Sequence, residues 1–259
     1  MDLALAGKRA LVTGASSGLG AAAALSLAAE GVEVTINSRD GERLQSSADR
    51  IKSVTGKSVV TVTGDIGKPV DVNRILEAAG MVDILVANSG GPQPGLFSQT
   101  TAEQWQEAGD LVLLGAVNLT RGVVDDMVER KWGRLIYITS VAVLQPIDDL
   151  ILSNSYRAGL TGMCKTISNT YARHGITANC VCPGYTMTER LIELADKRAS
   201  ESRKSRDDVL NDFAATVPAG RLAEPDELAS LITFLASERA AYITGTSIPV
   251  DGGVVKALI

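Results

Sequence analysis

Histidine is almost missing from this chain. His174 stands alone among 259 residues, beside only three cysteines, Cys164, Cys180 and Cys182. With so few imidazoles and thiols, and no metal-ligand spacing among the cysteines, no metal centre is expected. Nor do three cysteines make the paired framework of a small secreted scaffold, so all three are expected to be reduced and buried. Basic residues do not outnumber acidic ones: 25 Lys and Arg stand against 30 Asp and Glu, a net charge of −5. Gripping a phosphate backbone takes clustered cations, which makes a nucleic-acid partner unexpected. The one local basic cluster, Arg198, Arg203, Lys204 and Arg206, is interleaved with Glu193, Asp196, Glu201, Asp207 and Asp208 and reads as a solvated helical face. No apolar run is long enough to cross a bilayer, and no leader pattern follows Met1 and Asp2, so a cytoplasmic protein without a membrane partner is expected. Linker-like Gly, Ser or Pro tracts and internal repeats are also absent, which implies one domain over residues 1–259.

What is present is a hydrophobic content of 45 %, enough for one large core, arranged in a regular alternation. Short β-rich apolar runs at 9–13, 33–37, 58–63, 84–87, 134–138, 177–181 and 246–249 alternate with helix-length amphipathic segments. Strands separated by helices form parallel sheets with helices on both faces, so the expected fold is α/β: a doubly wound, Rossmann-type parallel sheet in three α/β/α layers. One helix is expected to open at Thr101, with Gln104 completing a capping box, and another near Pro225. The charged stretch 186–220 reads as irregular and as a substrate lid.

Chemistry first appears after the first strand, in Thr13-Gly14-Ala15-Ser16-Ser17-Gly18-Leu19-Gly20 followed by an alanine-rich helix. Gly14 suits a tight turn, Gly18 admits a pyrophosphate close to the backbone, and Gly20 lets the helix pack on the strand. The free N–H groups and dipole of that helix start then face the anion. At the end of the second strand, where NAD-binding proteins place an acid, stand Ser38 and Arg39. A hydroxyl and a guanidinium suit the 2′-phosphate of NADP(H). Two rival readings remain open: Asp40 can turn inward and serve NAD, and Arg39 can be an ordinary solvated residue.

This motif, together with Asn88-Ser89-Gly90-Gly91, Pro183-Gly184 and Asp251-Gly252-Gly253, resembles the short-chain dehydrogenase/reductase family over nearly the whole chain, and within it the 3-oxoacyl-acyl-carrier-protein reductase branch, with Pro218-Ala219-Gly220-Arg221 leading to Glu224-Pro225. The resemblance implies an NADP(H)-dependent oxidoreductase acting on a small carbonyl or secondary alcohol, assembled as a homotetramer or dimer through the helices starting near Thr101 and Ser155. It implies that Asp65 and Ile66 lie beside the adenine, and that Asn88, Ser89, Gly90, Pro183, Gly184 and Thr186 line the rest of the cofactor. Asp65 has a second reading as a turn cap.

The same resemblance exposes a departure. Relatives carry a Ser after the fifth strand, a Tyr thirteen residues later and a Lys four residues beyond. Here Ser140 matches, but Ser153 and Arg157 occupy the other two positions, and the family's Asn falls on Val112. In the family the phenol protonates the carbonyl oxygen as hydride arrives, while the lysine lowers the phenol's pKa and holds the nicotinamide ribose. A tyrosine starts near pKa ~10 and an alkanol several units higher, so Ser153 is a poor replacement acid. Arg157 keeps the positive charge and the donors for the ribose. Tyr156 reads either as a shifted proton donor or as a packing residue. Two functions follow: an NADP(H)-dependent reductase using Ser140, Ser153, Tyr156 or water, and Arg157, or a catalytically weak or silent dinucleotide-binding protein. His174 at a helix end, Cys180 and Cys182 on a strand, and Trp105 and Trp132 beside a helix are expected to be structural.

Overall fold

The computed structural model describes residues 2–258. Seven strands, β1 (Arg9–Val12), β2 (Glu33–Ser38), β3 (Val60–Thr63), β4 (Ile84–Ala87), β5 (Gly133–Ile138), β6 (Ile176–Pro183) and β7 (Ser247–Val250), form one sheet in the order β3-β2-β1-β4-β5-β6-β7. Every pairing is parallel. The doubly wound α/β expectation holds, with each expected strand present. The boundaries differ most at β3, which begins at Val60, and at β6, which continues to Pro183.

Alternate strand residues feed two opposite cores, because successive side chains on a strand point to opposite faces. Ala10, Val12, Ile84, Val86, Ile136 and Ile138 pack on one face against α1 (Gly18–Ala29), α2 (Gly41–Thr55) and α9 (Pro225–Ala236). Leu11, Leu85, Leu135 and Tyr137 pack on the other against α3 (Pro69–Ala79), α5 (Gly115–Arg130) and α6 (Ile151–Tyr171). Both faces being covered explains the near-continuous apolar strands. The alanines of α1 allow close approach to α9, where Ser26 Oγ and Thr233 Oγ1 lie 2.7 Å apart. As expected, the three cysteines are reduced and buried, Thr101 and Gln104 form a capping box at the start of α4 (Ala102–Gly109), and Pro225 occupies the first turn of α9. Trp132 is held between Lys8 and Arg134, a structural place. His174 ends a short turn capped by Gly175 after α6.

One expectation needs correction. Residues 186–220 are not irregular but hold two helices, α7 (Glu189–Ser202) and α8 (Arg206–Thr216). Leu191, Ala195, Val209 and Phe213 form a small core of their own, on which Tyr185 stacks with ring centroids 4.9 Å apart. Its apolar positions fall at helical spacing, but the dense interleaved charges masked the pattern. Among the described residues no helix is long and apolar enough to cross a membrane, and no group of three or more His, Cys, Asp or Glu is placed to hold a metal.

The C-terminal ends of the strands open one crevice where β1 lies between β2 and β4, the point at which the winding reverses. Leu27, near the far end of α1, is fully buried in the core that holds this helix on the sheet. Leu27→Ala is expected to cost about 2–5 kcal/mol in chemical denaturation, through lost transfer energy and a residual cavity.

Candidate dinucleotide cleft

A cleft of about 1100 Å³ runs along the strand ends. Its wall at β1 is the glycine turn. Thr13 Oγ1 donates to Asn88 O at 2.9 Å and accepts from Asn88 N at 3.0 Å, while Asn88 Nδ2 donates to Gly14 O at 3.1 Å. The turns after β1 and β4 are thereby tied together. Gly14 has φ +57, and a Cβ there would lie 2.6 Å from Asn88 O, so only glycine fits. A Cβ on Gly20 would lie 2.3 Å from Gly14 O. Gly20 is therefore a packing residue beneath the turn and does not line the cleft, whereas Gly14, Ser16, Ser17, Gly18 and Leu19 do. Ser17 at the N-cap of α1 makes no side-chain cap, and the first turn carries no acid. The helix thus presents uncapped N–H groups and its positive end to the cleft, which is the arrangement an anion needs.

Next along the wall, Asn37 Nδ2 donates to Val62 O and Gly64 O, setting β2 against the turn after β3. Ser38, Arg39, Asp65 and Ile66 line the cleft there. Asp65 Oδ1 accepts from Gly67 N at 2.9 Å, so it caps its turn as well as lining the cleft. Asp40 is occupied elsewhere: it caps α2 by accepting from Arg43 N at 3.1 Å. Arg43 went unnoticed in the sequence because nothing local marks it. It reaches from α2 to Ser17 Oγ and pairs with Glu189 at the start of α7, closing a strap across the cleft.

At the far end Ser89, Gly90, Ser140, Ser153, Arg157, Pro183, Gly184 and Thr186 line the cleft with Asn88. Ser140 Oγ accepts from Ala142 N at 3.1 Å, which leaves its hydroxyl proton free to donate. Ser153 Oγ accepts from Arg157 Nε at 3.2 Å. Arg157 also donates to Ile138 O at 2.8 Å and to Gly90 O. Burial, then the charge of Arg190, pulls its pKa down to about 10, still protonated near neutrality. Val112 is buried in a π-helical turn, Asp110–Leu114, between α4 and α5, while neighbouring Leu111 faces the cleft.

Tyr156 is not brought into the cleft. Its ring packs on Trp105, centroids 5.7 Å apart, and over Gly109, where a Cβ would lie 3.0 Å from it. The phenol that does line the cleft is Tyr185, stacked on Phe213 of α8. In a net-negative chain the cleft is rich in cations, with Arg39, Arg43, Arg157, Arg190, Lys197 and Lys256 against Asp65, Asp148, Glu189 and Glu193. Only the first and third of these cations stood out in the sequence.

The sequence family described as enoyl-(acyl carrier protein) reductase matches residues 14–255. The oxidoreductase YvaG of Bacillus subtilis (strain 168) is 31 % identical, covering 100 % of both chains. The chain belongs to the short-chain dehydrogenase/reductase family. Within the family, the 3-oxoacyl-acyl-carrier-protein reductase of Aquifex aeolicus (strain VF5) is 30 % identical over 98 % of this chain and 100 % of its own. The L-sorbose reductase of Gluconobacter frateurii, solved with NADPH and L-sorbose, superposes with a TM-score of 0.95 at 33 % identity, covering 100 % of both chains.

For this reductase fold, Gly20→Ala must push α1 off the turn, because the obstructing atom is backbone. Overpacking of about 1–3 kcal/mol is expected to weaken nicotinamide dinucleotide binding roughly tenfold or more in a fluorescence titration. Gly162→Ala in α6, with open space around it, is the control and should leave binding unchanged.

Proposed function

We propose that the chain is an NADP(H)-dependent oxidoreductase acting on a small carbonyl or secondary alcohol. The observation that carries this reading is the uncapped start of α1 facing one cleft with Ser38 and Arg39 at one end and Ser140 and Arg157 at the other. The residues fit the dinucleotide: the α1 amides take the pyrophosphate, Ser38 and Arg39 the 2′-phosphate, Asp65 and Ile66 flank the adenine, and Arg157 with Asn88, Ser89 and Gly90 holds the nicotinamide ribose. Asp40's role as a cap of α2 favours the phosphorylated coenzyme. The bound coenzyme supplies or accepts the hydride.

Ser140 and Ser153 each accept a hydrogen bond from the protein, so both hydroxyl protons can point at a substrate oxygen. As charge develops on that oxygen, Ser153 donates its proton. Arg157 beside it stabilises the resulting alkoxide until water reprotonates it. In the oxidation direction Ser153 first gives its proton to water, and the alkoxide, held by the guanidinium, then takes the proton of the substrate hydroxyl. Tyr156 plays no part, since it is engaged with Trp105. Phe97, in the short turn before α4, and Leu114, in the π-helical turn after it, are exposed, which supports self-association on that side.

A second reading, a dinucleotide-binding protein without useful turnover, is favoured by one observation: Arg157 is already tied to three acceptors and no phenol stands at Ser153. Arg39→Ala is expected to weaken NADPH binding by roughly ten- to a hundredfold and NADH binding little, because it removes one charge-assisted contact. In an NADPH-oxidation assay over a carbonyl panel, the wild type is expected to turn over slowly, Ser153→Ala to abolish that, and Tyr156→Phe to have no effect. The pair Ser153→Tyr and Arg157→Lys is expected to raise the rate by about 10²–10⁴-fold. A wild type with no turnover and an active double variant would establish the second reading instead.

A further inference from the structure

Two arginines at the catalytic end have no carboxylate partner. Arg157, buried at 6 % exposure, donates only to neutral acceptors. Arg190, in the first turn of α7, donates to Pro92 O at 2.6 Å and lies over Gly91, where a Cβ would come within 3.1 Å of its Nε. Neither takes part in an ion pair among the described residues. Glu193, one turn further along α7, faces the same cleft and its charge partly offsets what burial does to Arg190, but the two form no salt bridge. By contrast, Arg43 near the pyrophosphate turn is neutralised by Glu189.

The two guanidiniums stand close together. Arg157 contacts Gly90 and Arg190 contacts Gly91, consecutive residues whose Cα atoms are ~3.8 Å apart. Like charges that share one sheltered space repel each other, and hydrogen bonds to neutral carbonyls recover only part of what desolvation takes. An anion entering that space relieves both. The coenzyme's own phosphates are bound elsewhere on the reading above, at the ends of β1 and β2. Gly90, Ile138 and Ser153 belong to the ends of β4 and β5 and to α6, one and two strands beyond β1 at ~4.8 Å per strand. The bond recorded for Arg190 uses one of five N–H donors, leaving the fork open for a planar bidentate partner.

We propose that the substrate is a carboxylate, a short oxo or hydroxy acid, whose anionic end is received by Arg190 in the field of Arg157 while its carbonyl carbon lies at Ser140 and Ser153. This rests on the oxidoreductase reading and narrows it. A neutral ketone or thioester brings Arg190 no hydrogen-bonded carboxylate and is the poorer ligand. The acid's chain is short, because Arg190 and Arg157 lie on adjacent residues of one wall.

The test is calorimetry on the protein loaded with NADP+, which cannot reduce an oxo acid, and on the protein alone, with 2-oxohexanoate, 4-oxopentanoate and 5-oxohexanoate and with the methyl ester of each. At least one acid is expected to bind ten- to a hundredfold more tightly than its ester, with the preference shrinking as salt is raised. Arg190→Gln is expected to erase the preference, and Arg190→Lys to restore part of it, with both variants checked for wild-type melting temperature. Equal binding of acids and esters, binding of neither, or a preference that survives Arg190→Gln would overturn the inference. Since binding is read without turnover, a chain that prefers the acids yet transfers no hydride would refute the oxidoreductase reading and leave the anion site standing.

Discussion

The arrangement of the cleft depends on one constraint: α1 must start, uncapped, at the ends of β1 and β4, with its free N–H groups facing the cleft. Two glycines without room for a Cβ, Gly14 and Gly20, let the backbone double back, and Thr13 and Asn88 lock the two turns to each other. The missing side-chain cap at Ser17 is a local loss of helix stability, of the size a capping hydroxyl normally supplies, about 1 kcal/mol. A bound pyrophosphate offsets it. The alanine-rich packing of α1 on α9 holds the helix in place in the meantime.

From that anchor the strand order distributes the remaining roles. Each strand end to one side or the other of β1 adds a station along the cleft, from Ser38 and Arg39 after β2, past Asn88 after β4, to Ser140 after β5 and Pro183 at the end of β6. Residues of α7 and α8 line the far stations, with Arg43 and Glu189 strapping the start of α7 to α2. The departure from the family read in the sequence concerns Ser153 and Arg157 at one station and Val112 in the π-helical turn. Replacing a phenol and an ammonium with an alcohol and a guanidinium keeps the charge and the donors, but exchanges an acid tunable to neutral pH for one that is not. Arg190 adds a second charge at that same place.

Much of this was legible in the residues because it is encoded locally. Strand alternation, the glycine turn, the capping box at Thr101 and Pro225 are patterns within a few positions, and the structure contains each. Gly20 too was legible as a packing position, and a Cβ built there would fall 2.3 Å from Gly14 O. Helices α7 and α8 were hidden because interleaved charges obscured apolar positions such as Leu191 and Ala195. Arg43 and Arg190 were hidden for a different reason. Their partners, Ser17 and Glu189 for one and Pro92 for the other, are brought near by the tertiary fold, at separations of 26, 146 and 98 residues. Tyr156 could be placed on a helix from sequence, but which neighbour it met was decided by Gly109 and Trp105 on α4.

Amide hydrogen exchange of the segment 13–21, with and without NADPH, tests the central claim most directly. Binding through the helix start predicts slower exchange at Ser17, Gly18, Leu19 and Gly20 once the coenzyme is added. NADPH that binds the folded protein while leaving exchange in that segment unchanged would contradict the account.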